Sequence, residues 1–313
     1  PWMIEFVAHP IDPLLLEVRD TIPSSARRWK ESTVFLSVIS STVGRRDMNL
    51  LFEAFSAAFD AGDDVALVLK VPEDGGAGLG ETFERAFRET SSMRASRLPP
   101  SIYVIADQLT REQIVRLHAS VDAYISCERG NGWDLPAMDS LVLGVPIVNV
   151  GFGASTAFCS SGDTYTVEVS DRMVACDDTM FGAHFLYSGQ FWPYVDPQRM
   201  AEQIRSVFDD KDEAARWGAS ASLRLRQKYS AEKVANEVLE LVGGLTDVDV
   251  RSNAPASVTL HRADNAWNGG PTKILEQTGI NGLQRFMNRL QRSMNQHQFK
   301  SPLDPGRALV LAK

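Results

Sequence analysis

The sequence predicts an α/β fold: a single lobe built on a parallel sheet with helices on both faces, followed by a C-terminal helical tail. Three observations carry the prediction. Between Ser32 and about Gly243, short apolar runs alternate with stretches of helical periodicity. Strands bracketed by helices imply parallel pairing, with both faces of the sheet covered. The composition, 44% hydrophobic and 23% charged over 313 residues, is that of an ordinary globular chain and excludes disordered and fibrous classes.

The elements follow in order. Thr33-Val-Phe-Leu-Ser-Val-Ile39 reads as a strand, Asn49 to Ala61 as an amphipathic helix carrying Leu50, Leu51, Phe55 and Phe59, and Val65-Ala-Leu-Val-Leu-Lys70 as the next strand. Gly80 to Phe87 (helix), Ile102-Tyr-Val-Ile105 (strand), Thr110 to Ala119 (helix) and Ala123-Tyr-Ile-Ser126 (strand) continue the rhythm. Pro136 to Leu143 (helix) and Pro146-Ile-Val-Asn-Val150 (strand) close it. Asp196 to Asp209, Lys211 to Tyr229 and Ala231 to Val242 then read as three successive helices. No internal repeat is visible.

Three domains are expected. Residues 1–31 carry the turn-rich His9-Pro-Ile-Asp-Pro13 and the basic Arg27-Arg-Trp-Lys30, which suit a lead-in linker better than a core element. Residues 32–243 form the sheet lobe. Residues 244–313 turn polar and irregular, with one amphipathic helix expected from Pro271 to Asn295, and read as an extension or the start of another module.

Charge and cysteine usage narrow the partners. With 32 Lys+Arg against 40 Asp+Glu, the net charge of -8 offers no broad cationic surface, so no nucleic-acid partner is expected. An anionic ligand must be met by a few local cations. The three cysteines, Cys127, Cys159 and Cys176, are too few for a disulfide framework, and no Cys/His cluster has zinc spacing; no metal is expected. No apolar run approaches a membrane span, and Pro1-Trp-Met-Ile-Glu5 lacks the features of a signal peptide; it reads as an internal cut.

In an open parallel sheet, ligands bind beyond the carboxyl ends of the strands. The loop after the first strand carries Arg45 and Arg46, either a solvated helix start or a pair of guanidinium groups able to hold a diphosphate. The loop after the fourth strand is richer: Ser126-Cys-Glu128-Arg-Gly130-Asn131-Gly132-Trp133-Asp134-Leu135-Pro136, then a helix with Asp139. Its glycines let backbone approach a ligand, and the amides of Trp133 to Leu135 would face an anion at the helix N-terminus. Asp139, expected in the first helical turn, either chelates two ribose hydroxyls or complements the helix dipole. Lys70 ends the second strand at the same edge, as a ligand contact or a surface lysine. Gly151-Phe-Gly-Ala-Ser-Thr-Ala-Phe158 is a phosphate- or sugar-binding turn or simply a tight turn. His184 and the aromatics from Phe185 to Tyr194 are expected to pack the lobe rather than touch substrate.

These pieces in this order resemble the donor-binding lobe of GT-B glycosyltransferases. The particular likeness is to the large retaining, family 4-like group that includes sucrose synthases and many bacterial polysaccharide mannosyl- and glucosyltransferases. The resemblance spans roughly residues 6 to 242. Phe6-Val-Ala-His9-Pro-Ile-Asp12 is similar to the interlobe linker. Phe35-Leu-Ser-Val38, Arg45-Arg46, Leu50-Leu51 and Glu53-Ala-Phe55 are similar to the opening strand, cation pair and helix, and Ile102 to Ile105 to the base-binding strand. Gly132-Trp-Asp-Leu-Pro-Ala-Met-Asp139 with Gly144-Val-Pro-Ile-Val148 resembles the glycine-aromatic-x-Leu-Pro loop, acidic helix residue and Gly-x-Pro strand start.

The resemblance implies a Rossmann-like lobe and a role for each residue. Arg46, helped by Arg45 where Ser41 replaces an arginine, takes the phosphate-binding position. Lys70, Ile105 and Gly132 lie along the nucleotide-sugar path. The amides near Trp133, Asp134 and Leu135 cradle the distal phosphate, and Asp139 holds the ribose. The position of the first acidic residue, with Gly132 to Met138 before Asp139, holds Asn131; Glu128, nearby, is the other candidate for that role. Cations and helix amides that stabilise the departing diphosphate supply much of such a transfer, so no cofactor and no metal are implied beyond the nucleotide diphosphate sugar itself.

The implied function is retaining transfer of a hexose from a nucleotide-sugar donor to a saccharide or lipid-linked acceptor in surface polysaccharide or glycoconjugate biosynthesis. An N-terminal acceptor lobe, in the same or another chain, would complete it. The expected location is the cytoplasm, with peripheral association at the inner membrane face left open. The rival reading is a catalytically degenerate lobe acting as a binding or scaffold module; a nucleotide-sugar epimerase is a weaker third.

Overall fold

A computed structural model describes residues 10–21, 32–39, 48–72, 79–92, 100–130, 132–160, 162–175, 189–246, 274–276 and 308–310. Its centre is a parallel sheet of six strands in the order β3-β2-β1-β4-β5-β6. The strands are β1 (Thr33–Val38), β2 (Val65–Lys70), β3 (Ser101–Ile105), β4 (Ala123–Ser126), β5 (Ile147–Val150) and β6 (Tyr165–Val167). The sequence-predicted strands all form, and the short β6 extends the sheet past β5, with Val150 opposite Val167.

Each strand is buried along most or all of its length because each face has its own core. Val34, Leu36, Ala66, Val68, Tyr103, Ile105 and Tyr124 point into one, while Phe35, Val65, Leu67, Leu69, Ile102, Val104, Ala123 and Ile125 point into the other. That alternation is the period of two expected of pleated backbone. The first core is covered by α1 (Pro13–Thr21), α4 (Arg111–Ala119), α5 (Leu135–Val142) and α7 (Lys211–Lys228); the second by α2 (Met48–Ala58), α3 (Leu79–Ser92) and α6 (Pro197–Asp209). Phe35, Phe55, Phe59 and Phe208 interlock on the second face with ring centroids 5.2 to 5.8 Å apart. Helix α8 (Ala231–Thr246) continues through Gly243 and Gly244.

The structure corrects two expectations. Within the stretch expected to suit a linker better than a core element, residues 10–21 place Ile11, Leu15 and Val18 in the lobe's own core. The prolines that read as turn signals mark a helix start instead: Asp12 caps α1 by accepting from Leu14 N at 3.0 Å, and Pro13 follows at the first helical position. Of the tail helix expected from Pro271 to Asn295, the described residues 274–276 form strand β9 (Ile274–Glu276), antiparallel to β3, and the rest of that stretch lies outside the described residues. The apolar pair Ile274-Leu275 fits a strand as well as a helix face, and the open edge of β3 decides. A short 3-10 turn (Ala154–Ala157), a hairpin of β7 (Met173–Ala175) and β8 (Phe191–Pro193) and the tail strand β10 (Ala308–Val310), which is parallel to β9, complete the described elements.

Candidate functional site

The strand order reverses between β1 and β4. Helix α2, which follows β1 in sequence, lies on one face of the sheet and α5, which follows β4, on the other, and a crevice lies between them at the carboxyl ends, where ligands bind in sheets of this order. Ser37, Ile39, Met48 and Leu51 line it on one side and Tyr124, Ser126, Cys127 and Glu128 on the other. Glu128 is 5% exposed, so its carboxylate belongs to the crevice wall rather than to the surface.

The loop from Ser126 to Pro136 is built from its own side chains. Asp134 caps α5 from the left-handed region (φ 59°, ψ 60°), where an aspartate is tolerated because its short side chain bonds locally. Its carboxylate accepts from Ser126 Oγ at 2.5 Å and from Ala137 N at 3.4 Å. Trp133 is buried, donates from Nε1 to Met138 Sδ at 2.7 Å and packs against Phe158 and Tyr229. Leu135 is exposed, and a Cβ on Gly132 would meet no atom within 4 Å, so the backbone there faces open space. Pro136 falls in the first turn, as expected.

Asp139 lies in the second turn of α5 rather than the first, so the helix-dipole reading of its carboxylate falls away. A cation from another helix takes its place. Arg111 grips both oxygens: one terminal nitrogen donates to Oδ2, and Nη2 donates to Oδ1 at 3.0 Å. Arg111 Nε donates to Asp12 Oδ2 at 2.9 Å, tying α1, α4 and α5 together. Burial works to lower the Arg111 pKa, but the hydrogen bonds and charges of Asp139 and Asp12 outweigh it and raise it. Beneath this network His118 is wholly buried, 2.7 Å from Ser140 Oγ, and burial together with the Arg111 charge lowers its pKa to about 3.

Lys70 sits at the carboxyl end of β2, opposite Val38 of β1 and Ile105 of β3, so Lys70 and Ile105 share the carboxyl edge of the sheet. Lys70 is buried and its Nζ donates to the Val71 carbonyl. Arg45, Arg46, Asn131 and His184 lie outside the described residues. In the turn after β5, Ser155 and Thr156 donate to the Phe152 and Gly153 carbonyls, which is how a tight turn spends its hydroxyls. The sequence reading missed Arg111, and it named Asp12, Ser37 and Ser126 only as parts of motifs, without a role for their side chains. A signal existed for Arg111: Thr110 and Gln113 form a capping box that pins it at the first position of α4, at the sheet's carboxyl edge.

Two solved structures have the same fold. Sucrose-phosphate synthase from Thermosynechococcus elongatus aligns with a TM-score of 0.53 at 13% identity, covering 77% of this chain and 52% of that one. The UDP-forming α,α-trehalose-phosphate synthase from Burkholderia xenovorans, solved with glucose-6-phosphate, aligns at 0.52 and 13%, covering 75% and 50%. The chain thus has the fold of a GT-B glycosyltransferase lobe, and it spans about half the length of either enzyme. No protein-family model and no curated protein matches the chain. No helix among the described residues is long and apolar enough to cross a membrane.

Proposed function

We propose that the chain is the donor-binding lobe of a glycosyltransferase, holding a nucleotide diphosphate sugar in the crevice between β1 and β4 for transfer to a saccharide or lipid-linked acceptor. The single observation that carries this reading is the crevice itself: it lies at the reversal of a 3-2-1-4-5-6 sheet, in a fold shared with two sugar-transferring synthases. Arg45 and Arg46 bind the diphosphate, Lys70 and Ile105 flank it, the Gly132 to Leu135 backbone approaches the distal phosphate, and Asp139 takes the ribose. Asn131 or Glu128 meets the donor sugar. Transfer proceeds with retention, and it needs no metal because cations and amides stabilise the leaving diphosphate. The acceptor is met chiefly by a second lobe, and the product enters a surface polysaccharide or glycoconjugate made in the cytoplasm, with the lobe free or peripheral to the inner membrane face.

A second reading is favoured by one feature. The carboxylate of Asp134 stands at the N-terminus of α5, where this chemistry wants amides turned toward an anion. A degenerate lobe acting as a binding or scaffold module would keep such a cap. Calorimetric titration with UDP and GDP, without metal, separates the two. Saturable binding of one nucleotide, weakened about 1 to 3 kcal/mol by Arg46→Ala and by Asp139→Ala, the scale of lost charged hydrogen bonds, supports the donor lobe. No binding to a folded sample at millimolar concentration favours the scaffold.

A further inference from the structure

The N-terminus of α5 already holds an anion of its own. Asp134 caps it from the left-handed region, and among the described residues it is the one non-glycine with a positive φ. A glycine would take that conformation at no steric cost, so the backbone alone does not call for an aspartate. Asp134 is buried, and its carboxylate sits one hydroxyl away from the crevice: Oδ2 accepts from Ser126 Oγ at 2.5 Å, and Ser126 lines the crevice wall. Oδ1 takes the amide of Ala137 in a long bond of 3.4 Å. Pro136, the position before, has no amide hydrogen to offer. The same charge is felt at Cys159, whose thiol is pushed up by burial first and by Asp134 next. On the open side, Leu135 is exposed and the backbone at Gly132 faces open space.

We infer that Asp134 is a specificity-determining residue: its negative charge beside the crevice disfavours a doubly charged terminal phosphate against a phosphate esterified to a sugar, and so tilts the site toward the donor and away from the spent nucleoside diphosphate. The inference rests on the donor-lobe reading of the crevice, in which the distal phosphate approaches the Gly132 to Leu135 backbone. A free terminal phosphate carries a charge of about −1.5 to −2 at pH 7, since its second pKa is about 6. Esterified to a sugar, it keeps a single charge. Repulsion scales with the product of the charges: at about 6 Å, even with the screening of bulk water, each pair of unit charges costs about threefold in affinity. A nucleoside diphosphate therefore loses about tenfold and a nucleotide sugar about threefold. The carboxylate also takes the Ala137 amide and offsets the positive end of the α5 dipole, both of which would otherwise attract the more highly charged group more strongly.

The test is calorimetric titration of the full chain with UDP and UDP-glucose, and with GDP and GDP-mannose, for the unaltered protein, D134N and D134G, with thermal midpoints recorded alongside. Asparagine keeps the left-handed backbone and one acceptor oxygen, and glycine keeps the backbone; both remove the charge. Each variant, though less stable, should bind the nucleoside diphosphate about tenfold tighter and the matching nucleotide sugar about threefold tighter. The ratio of the two affinities thus shifts about threefold toward the diphosphate. Removing an aspartate that only caps the helix would leave that ratio unchanged; this result overturns the inference while the donor-lobe reading stands. A shift in D134G without one in D134N would show that room rather than charge sets the ratio, and overturns it as well. If neither nucleotide nor nucleotide sugar binds any of the three proteins, the donor-lobe reading fails and takes the inference with it. Should D134G not fold, D134N decides alone.

Discussion

Gly218 of α7 presses against the carbonyl of Gly144: a Cβ built on Gly218 would sit 2.4 Å from that oxygen and 2.9 Å from Pro146 N. The contact is backbone to backbone, so no side chain can swing away. It explains why two glycines distant in sequence are needed at one place, Gly144 with a positive φ of 82° to turn from α5 into β5, and Gly218 to let α7 close over that turn. Gly218→Ala should therefore cost about 1 to 3 kcal/mol as an overpacking change, lowering Tm by roughly 2 to 4 °C per kcal/mol. A thermal melt checks it; an unchanged midpoint would mean that α7 is not packed this tightly.

The loop cap gives an ordered series. At Asp134 three effects coincide: a helix cap of about 1 kcal/mol, the bond from Ser126, and a left-handed backbone that costs an ordinary residue about 1 to 2 kcal/mol. Asparagine keeps the conformation and much of the cap, glycine keeps only the conformation, and alanine keeps neither. Denaturant midpoints should rank Asp134→Asn above Asp134→Gly above Asp134→Ala. A reversed order of the last two would show that the backbone at this site is not left-handed.

His118 makes the fold sensitive to acid. Its folded pKa lies near 3 through burial and the Arg111 charge, against the ordinary value of 6.5. Between those values the unfolded chain binds the proton and the folded chain does not. This contribution is therefore complete above about pH 6.5 and is lost as the pH falls toward about 3, at about 1.4 kcal/mol per unit. Between pH 7 and 5 the loss assigned to His118 is about 2 kcal/mol. Urea unfolding of His118→Gln should show a pH dependence shallower by that amount; equal slopes would place the acid sensitivity elsewhere.

Arg224 carries a second tie, from helix to loop. Its guanidinium donates to both oxygens of Asp163, each at 2.7 Å, and to the Phe158 carbonyl at 2.9 Å, holding α7 against the loop before β6. Arg224 is about a third exposed while Asp163 is 9% exposed. Arg224→Met should thus cost roughly 2 to 3 kcal/mol, below the cost of breaking a fully buried pair because solvent reaches the arginine. Adding Asp163→Asn should recover part of that loss, since the stranded carboxylate is then gone. A double variant no more stable than Arg224→Met would show that the carboxylate is not what suffers.

The lobe's architecture was legible in the sequence because its signals are local. Strands β1 to β5 are short, mostly apolar runs, helices α2 to α8 carry their own periodicity, and α4 to α8 their own caps, so a window of a dozen residues contains the information. The short strands β6, β7 and β8 span three residues each and have no pattern of their own; they exist because an edge or a partner strand is present. Helix α1 was hidden by prolines that serve equally well in turns and in first helical turns.

At the candidate site, the sequence by itself determined which loops end at the carboxyl edge of the sheet, and it singled out Trp133, Asp134, Asp139 and Lys70 by residue type and order. The tertiary structure alone decided what each is bonded to: Asp134 to Ser126, Lys70 to its neighbour's carbonyl, Asp139 to Arg111 and, through it, to Asp12. The reason is geometric. Periodicity and turn chemistry act over a few residues, whereas Arg111 and Asp139 stand 28 positions apart and meet only because α4 and α5 pack side by side on one face of the sheet.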